Sequence, residues 1–413
     1  MNKWLAISAA VGGMAAAGAA WQAVEGRRDR RRFPPPGELF TLPDGRRLHA
    51  IGRDGPRVSE LTVRSLADPA PGGGARRGAA APTVVFEAAL AASSIGWEQV
   101  LAGVAADAPV FAYDRAGMGW SDAPPRGAGG PRTGREMVED LRALLAVAGV
   151  PRPIILVGHS YGGLLARLYT ALYPREVAGL VLVDAAAPEQ WTEISAQDRL
   201  RLKVGRHLAG RGVWAARLGV ARLVMELALA RRAGGASGPG AGAPELTKSA
   251  DGADVRGAAA ARGAVAGAEP RRTARPAPET AARAVVTAVT FGILGPSDRG
   301  LLTPVAQLSP AMRQTLARLW IQPKFYAGIR EQLAALPGLA AEVQARERPL
   351  AIPVGVLSAS QPSPQRMAEQ ERAVKLSPLG WHVVAPSCGH WVQLDQPECV
   401  IAAVRRVVAQ VRA

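Results

Sequence analysis

The stretch IILVGHSYGG, residues 154–163, decides the fold class of this 413-residue chain. Its first four residues are aliphatic, and an apolar run without polar alternation is typical of a strand buried on both faces of a parallel sheet. Gly158 and Gly162 lie two positions on either side of Ser160, and such small neighbours allow a strand to turn sharply into a helix. The following helix would direct free N–H groups and its positive dipole end at that turn. The pattern predicts a nucleophilic serine; the alternative is a glycine-rich turn with an inert one.

Comparable apolar runs lie on both sides of this stretch, and segments with apolar residues at helical spacing separate them. The runs are residues 83–86, 109–113, 180–183, 352–357 and 382–385, and the helical segments are residues 135–148, 160–173 and 398–411. Strands that alternate with helices predict an α/β fold with a doubly wound, mostly parallel sheet. Before them, residues 38–52 predict two short strands around the Asp44-Gly45 turn.

The chain divides into four regions. Residues 1–36 contain an apolar segment, a basic cluster and a proline spacer, and residues 37–185 and 348–413 form the two parts of the α/β core. Residues 186–347 interrupt the alternation of strands and helices. An insertion of this kind, at the carboxyl edge of a sheet, lies above the ligand crevice. We therefore expect residues 186–347 to form a helical cap or lid.

The inserted region is mixed in character. Helices are predicted at residues 214–231 and 313–336, whereas residues 232–282 are of low complexity, rich in Ala, Gly, Arg and Pro. We expect this last segment to be mostly disordered, because it has too few large apolar residues to build a core. A similar Gly/Ala/Arg stretch at residues 71–81 predicts a surface loop.

The first region carries an uncharged stretch, Trp4 to Trp21, followed at once by a cluster of arginines between Arg27 and Arg32. Its 18 residues are at the short end for a membrane span. Because positive flanks stay on the cytoplasmic side, we favour an N-terminal membrane anchor with a cytoplasmic catalytic domain. A signal peptide cleaved near Ala17-Gly18-Ala19, with a secreted product, and a simple apolar leader are the alternatives.

The net charge of +16 raises the question of nucleic-acid binding. Residues 201–283 alone contribute +9, from 15 Lys or Arg against 6 Asp or Glu, and their only Phe, Tyr or Trp is Trp214. A platform for stacking bases is therefore absent from the basic segment, and we expect no nucleic-acid partner. Cys388 and Cys399 form neither a disulfide framework nor a metal-site spacing, and we expect no metal or other cofactor.

A serine nucleophile needs a neighbouring base, and five histidines are available: His49, His159, His207, His382 and His390. His390 follows the last predicted strand, in the loop Ser387-Cys388-Gly389-His390-Trp391, at the sheet edge where catalytic groups lie. We expect His159 to point away from Ser160, His49 to precede the sheet and His207 to lie in the insertion. His390 is therefore the predicted general base.

These motifs together resemble the α/β-hydrolase superfamily. The resemblance covers about residues 83–185 and 352–413, and it includes YDRAGMGWSD at residues 113–122, which is similar to the turn after the fourth strand of that family. It implies the α/β-hydrolase fold with a cap, and the order nucleophile, acid, histidine along the chain. The N-terminal segment and the insertion lie outside the resemblance.

The acid of the implied triad departs from the common pattern of the family. Most members have an Asp just after the penultimate strand, but here residues 356–362 read VLSASQP, and the next carboxylate is Glu369 in a predicted helix. Some relatives place the acid after the preceding strand, where this chain has Asp184. We predict Asp184 as the acid that orients His390; a two-member or water-assisted site and another carboxylate are the alternatives.

The resemblance also implies an oxyanion hole. One donor is the backbone N–H of Tyr161, which follows the nucleophile, and the other comes from the loop after the strand at residues 83–86. That loop has Ala88-Ala89 where relatives have His-Gly, so Leu90 is the expected second donor. An ordinary loop of small residues is the alternative.

These residues predict a serine hydrolase, esterase-like, that cleaves a small acyl compound through an acyl-enzyme intermediate. A hydrophobic or membrane-derived ester is the first expectation, by analogy with the fold. Two other functions remain: a non-catalytic ligand receptor or scaffold on the same fold, and an acyltransferase or peptidase.

Overall fold

In the computed structural model, residues 3–53, 82–124, 131–235 and 307–413 are described. The predicted loop at residues 71–81 and most of the low-complexity segment at residues 232–282 lie outside these ranges. Within them, eight strands form one sheet in the order β1-β2-β4-β3-β5-β6-β7-β8. The strands are β1 Glu38–Thr41, β2 Arg47–Arg53, β3 Val84–Glu87, β4 Val110–Tyr113, β5 Ile154–His159, β6 Val177–Val183, β7 Val354–Ser358 and β8 Gly380–Val384.

The sheet is parallel from β4 to β8, and β1 and β2 add an antiparallel edge. This confirms the predicted doubly wound, mostly parallel sheet, and each apolar run coincides with a strand. The reason is visible in β5. Ile154 and Leu156 pack into the core on one face of the sheet, and Ile155 and Val157 pack into the core on the other. A strand buried on both faces has no polar face to alternate with.

The helices fall into those that flank the sheet, those inserted between β6 and β7, and one at the N-terminus. They are α1 Lys3–Arg32, α2 Glu98–Val104, α3 Gly134–Val147, α4 Tyr161–Leu172, α5 Glu189–Thr192, α6 Ala196–Arg217, α7 Val220–Gly235, α8 Pro310–Trp320, α9 Pro323–Arg346, α10 Pro364–Val374, α11 Val392–Asp395 and α12 Pro397–Arg412. The predicted flanking helices are found, with ends within two residues of the expected ones. A capping box between Thr133 and Glu136 begins α3.

Two helices of the insertion were predicted wrongly. The helix expected at residues 214–231 is broken between α6 and α7, where Gly219 takes a left-handed φ of 75° that ends a helix. The helix expected at residues 313–336 is broken between α8 and α9. There Pro323 lacks an N–H and forces Gln322 into an extended conformation. In addition, α9 continues past Leu336 through Pro337 to Arg346.

The N-terminal helix α1 packs against the inserted helices along its second half only. Residues 7–14 are exposed, whereas Gln22 and Asp29 are buried. Both bind the buried Arg222 of α7: its Nε donates to Gln22 Oε1 at 2.8 Å and its Nη2 to Asp29 Oδ2 at 2.5 Å. By length and composition, residues 7–32 of α1 are apolar enough to cross a membrane. The described residues thus place an apolar helix beside the inserted helices.

Candidate active site

Ser160 lies on the turn between β5 and α4, at the carboxyl edge of the sheet. Its φ of 53° and ψ of −118° are strained for a residue with a side chain. The turn is fixed by its backbone, because Ser160 N donates to Val183 O at 3.2 Å and Ser160 O accepts from Ala186 N at 3.1 Å. This strained geometry directs the Ser160 hydroxyl out of the turn while the residue is 4% exposed.

The glycines of the turn are required by close backbone contacts. A Cβ at Gly162 would lie 2.4 Å from the carbonyl oxygen of Glu87 and 2.5 Å from that of Ala88. A Cβ at Gly158 would lie 2.6 Å from the carbonyl oxygen of Gly162. The first contact shows that the loop after β3 lies directly against the serine turn, as an oxyanion hole built from both segments requires.

His390 reaches Ser160 across 230 positions of sequence, with its Nε2 2.9 Å from Ser160 Oγ. The loop that carries it is held at two points. Gly389 N donates to Asp395 Oδ2 at 2.8 Å, and Cys388 N donates to Ser360 Oγ at 3.1 Å. The predicted base and the predicted nucleophile therefore lie within hydrogen-bonding distance in the structure.

Asp184 follows β6 directly, and its Oδ2 lies 2.5 Å from Nδ1 of His390. Burial alone would disfavour the charged carboxylate. The hydrogen bond with His390 and the positive charge of Arg366, whose Nη2 is 3.3 Å from Asp184 Oδ1, outweigh burial and hold the pKa of Asp184 well below its ordinary value. An ionised Asp184 fixes the proton of His390 on Nδ1 and leaves Nε2 free to accept the proton of Ser160.

Leu90 and Tyr161, the predicted oxyanion donors, are both buried. Tyr161 is the first residue of α4, so its N–H is not used by the helix. Neither that N–H nor the N–H of Leu90 has an acceptor among the described residues. The structure therefore places two unused donors on segments that touch each other next to Ser160.

The loop after β3 is held by Arg115, a residue that the sequence did not single out. The buried Arg115 guanidinium donates to the carbonyl oxygens of Ala88, at 2.6 Å, and Ala89, at 2.5 Å, and forms an ion pair with the carboxylate of Glu87. It also donates to Gln332 Oε1 of α9 at 3.0 Å, and its charge lies 5.4 Å from the centre of the Tyr161 ring. One side chain thus links the loop, the serine turn and the inserted helices.

His159 was expected to point away from Ser160, and it is buried beneath the His390 loop. Its Nε2 is 2.7 Å from the carbonyl oxygen of His390, and its Nδ1 is 3.0 Å from Nε2 of Gln393. Since the Gln393 amide donates to Nδ1, the proton of His159 is on Nε2 and is donated to His390. Burial, together with the nearby charge of His390, lowers the pKa of His159 to about 3, so the ring is neutral. His159 therefore supports the backbone of the predicted base.

The expectation that His49 precedes the sheet is wrong. His49 lies within β2, fully buried, and its Nδ1 is 2.8 Å from Asp114 Oδ2. The same Asp114 accepts hydrogen bonds from the backbone N–H groups of Ser94 and Trp120. This pair holds the turn after β4 in place and has no contact with Ser160.

Apolar side chains from the helices between β6 and β7 pack beside the site. Leu316 and Leu319 of α8 pack in one buried cluster with Ala89, in the loop after β3, and with Trp391, next to His390. These apolar side chains therefore lie beside the segments that carry Leu90 and His390.

Comparison with known proteins gives matches on the same elements. The family model of the alpha/beta hydrolase fold matches residues 82–204. Among solved structures, a thermophilic esterase from Thermogutta terrifontis aligns over 91% of this chain and 99% of its own, with a TM-score of 0.50 and 18% identity. An alpha/beta hydrolase fold protein from Burkholderia ambifaria aligns over 89% and 96%, with a TM-score of 0.51 and 17% identity. At these identities the likeness is one of fold.

Matches to curated proteins are shorter. The uncharacterized protein YqjL of Bacillus subtilis is 35% identical over 111 residues, which are 27% of this chain and 42% of that protein. The 1-acylglycerol-3-phosphate O-acyltransferase ABHD5 of Homo sapiens is 32% identical over 91 residues, 22% of this chain and 26% of that protein. The chain thus spans less than half the length of these relatives.

Proposed function

Because this chain belongs to the α/β-hydrolase superfamily, we propose that it is a serine hydrolase that cleaves a carboxylic ester or a related acyl compound. The observation that carries the proposal is the continuous hydrogen-bonded chain from Ser160 Oγ through the His390 ring to the Asp184 carboxylate, at 2.9 and 2.5 Å. A nucleophile, a base and a group that orients the base are the parts that acyl transfer through serine requires.

The reaction proceeds in two steps. Ser160 Oγ attacks the acyl carbon while His390 Nε2 takes the hydroxyl proton, and Asp184 stabilises the imidazolium. The N–H groups of Leu90 and Tyr161 bind the oxyanion. One such donor typically raises kcat by about 10²–10³-fold. The tetrahedral intermediate expels the alcohol, which takes the proton from His390. Water, deprotonated by His390, then attacks the acyl-enzyme, and His390 returns the proton to Ser160 Oγ as the acid is released.

The apolar cluster beside the site supports a substrate class. Leu316, Leu319 and Trp391 pack with Ala89, beside the segments that carry Leu90 and His390. We therefore expect a small acyl compound with a hydrophobic group. A non-catalytic receptor needs no acid beside the histidine, and the position of Asp184 therefore favours catalysis over it.

A fluorophosphonate probe, combined with nitrophenyl esters of increasing acyl length, tests the proposal. We expect covalent labelling and ester turnover in the native chain, and loss of both in Ser160→Ala. The matched control is Ser195→Ala, which removes an exposed hydroxyl that caps α6. Thermal stabilisation by esters without labelling or turnover would indicate the non-catalytic receptor.

An acyltransferase is the second candidate, because a relative named 1-acylglycerol-3-phosphate O-acyltransferase matches this chain over 26% of its own length. Both functions share the acyl-enzyme and differ in what attacks it. Turnover of a nitrophenyl ester in the presence of a monoacylglycerol phosphate distinguishes them. Free acid as the main product supports hydrolysis, and a diacylated product supports transfer.

We further propose that α1 anchors the chain in a membrane, with the remainder on the cytoplasmic side. The apolar first half of α1 is exposed, and the arginines that follow it are typical of a cytoplasmic flank. The alternative is a cleaved signal and a secreted product. N-terminal sequencing of the chain from the membrane fraction and from the medium decides between them, because cleavage after Ala19 would leave Ala20 as the first residue of a secreted product.

A further inference from the structure

Helix α6 presents an exposed surface that is both apolar and basic. After Asp198 the helix has no acidic residue. We call the exposed side chains of α6, of its corner with α7 and of the adjoining turns of α7 the basic apolar face. Its members are Arg199, Leu200, Lys203, Val204, Arg206, His207, Arg211, Trp214, Leu218, Val220, Leu223 and Leu227.

Among the residues that the structure describes, the apolar members of this face have few neighbours for such large side chains. Trp214 is 62% exposed, Leu200 60% and Leu227 53%. Arg217 stacks on Trp214, with its guanidinium 5.1 Å from the ring centre. A helix with exposed Leu, Val and Trp among Lys and Arg is typical of helices that lie in the interface of a lipid bilayer.

Helix α1 contacts the corner between α6 and α7, next to the basic apolar face. The backbones of α1 and the α6–α7 corner touch, since a Cβ at Gly18 would lie 2.2 Å from the carbonyl oxygen of Leu218 and a Cβ at Gly219 2.8 Å from that of Gly18. Further along α1, buried Arg222 fixes Gln22 and Asp29. The apolar, exposed part of α1 therefore leaves the folded chain at the corner where the basic apolar face lies.

We propose that the basic apolar face docks on the surface of an anionic bilayer, the same bilayer that α1 enters. Contact between α1 and the corner at Gly18, near the end of the uncharged stretch, brings the corner to the depth at which α1 meets the headgroups. Trp214, Leu218 and Val220 then insert at the boundary between headgroups and acyl chains, while Lys203, Arg206 and Arg211 bind lipid phosphates.

Two other occupants fit the face less well. A second copy related by a two-fold axis would place the same arginines opposite one another, which is repulsive. A nucleic acid would find positive charge but only Trp214 as a stacking surface. The docking rests on the proposed anchoring by α1, but not on the proposed catalytic function, because no member of the face contacts Ser160, His390 or Asp184.

Spin labels on the full chain in lipid nanodiscs test the docking. Val204→Cys and Leu223→Cys place labels on the face, and Leu379→Cys, exposed directly before the edge strand β8, is the control. Cys399→Ser serves as the background, since Cys388 is buried. We expect the two face labels to become several-fold less accessible to a water-soluble nickel chelate in nanodiscs that contain phosphatidylglycerol than in detergent, with no change at position 379.

The charge contribution is tested separately with Lys203→Glu, Arg206→Glu and Arg211→Glu combined. These changes should restore nickel accessibility at position 204, and phosphatidylcholine alone should give weaker protection than the anionic mixture. Face labels that stay accessible to water in anionic nanodiscs overturn the proposal, as does spin–spin broadening, which would show a second copy on the face. Failure of the chain to float with anionic vesicles overturns it as well. Loss of ester turnover in Ser160→Ala has no bearing on any of these outcomes.

Discussion

Asp184 Oδ2 lies 2.5 Å from His390 Nδ1 although Asp184 follows β6 rather than β7, where most members of the superfamily have the acid. The two strands are neighbours, with Val183 opposite Leu357, so Asp184 is one strand away at the same edge of the sheet. Its backbone N–H donates to Leu357 O at 2.7 Å, which fixes it beside the end of β7. No carboxylate directly follows β7, and the carboxylate beside His390 comes instead from the end of the adjacent strand β6.

Asp184→Asn should lower kcat by about three to four orders of magnitude, because an amide no longer selects the His390 tautomer that can accept a proton on Nε2. The KM for a nitrophenyl ester should change little, since Asp184 does not face the substrate. Steady-state kinetics on a short-chain ester, with the fold checked by circular dichroism, measures both.

Glu369→Gln is the matched control for this prediction. Glu369 is the next carboxylate along this part of the chain, is buried, and binds Gln190 at 2.6 Å and Arg366 at 3.3 Å. We expect its removal to leave kcat near that of the native chain. A large loss in Glu369→Gln with little loss in Asp184→Asn would reverse the assignment of the acid.

Arg115→Met should impair both stability and catalysis. Removal of the guanidinium leaves the carboxylate of Glu87 buried without its partner, which costs about 3–5 kcal/mol of the free energy of unfolding. It also frees the carbonyl oxygens of Ala88 and Ala89, so the Leu90 N–H is no longer held in place. A misplaced oxyanion donor should lower kcat about 10- to 100-fold.

The double variant Glu87→Gln with Arg115→Met separates the two effects. The neutral amide that Glu87→Gln introduces keeps an acceptor for the Tyr113 hydroxyl and needs no counter-charge, so urea denaturation should show that most of the stability returns. The kcat should stay low, because the carbonyls of the loop still lack their donor. Recovery of kcat together with stability would mean that Arg115 acts through stability alone.

The fold was predictable because its signals are local. A strand buried on both faces is a continuous apolar run, and the serine turn needs glycines where backbones approach, as at Gly162. The order of these segments then leaves few topologies. The predicted nucleophile and base, Ser160 and His390, follow from the same logic, since both lie just past strands that end at one edge.

The supporting residues were not predictable because their signals are tertiary. Nothing near Arg115 or His159 in the sequence indicates that one binds the loop after β3 and the other the carbonyl of His390. The breaks at Gly219 and Pro323 were missed for a different reason. Apolar spacing continues across both, and only the backbone preferences of Gly and Pro mark the ends of the helices.

The contact between α1 and α7 gives a prediction on stability. Asp29→Ala should lower the free energy of unfolding by about 3–5 kcal/mol, because Arg222, 1% exposed, would keep its charge without a carboxylate. Glu25→Ala is the control on the same helix. Its partner Arg28 is 73% exposed, and such a surface pair contributes about 0–1 kcal/mol.

Chemical denaturation in mild detergent measures both variants. The combined variant Asp29→Leu with Arg222→Leu should be more stable than Asp29→Ala, because it removes the charge together with its partner. Equal stability of Asp29→Ala and Glu25→Ala would show that α1 does not pack on the inserted helices in solution.

His159 predicts a pH dependence of stability. Its pKa is lowered from 6.5 to about 3 in the folded chain, first by burial and then by the charge of His390. Between these two values the unfolded chain binds a proton that the folded chain does not, so stability is complete above about pH 6.5 and is lost as the pH falls. The slope approaches about 1.4 kcal/mol per pH unit, which gives about 2 kcal/mol between pH 7 and pH 5.

His159→Gln keeps a neutral donor for the carbonyl of His390 but does not titrate. Urea denaturation across this range should therefore show a pH slope shallower by about one proton in His159→Gln than in the native chain, since the other titrating groups are common to both. Identical slopes would mean that the buried ring is protonated in the folded chain, and the hydrogen bonds would then have to be reassigned, because a protonated His159 cannot accept from Gln393.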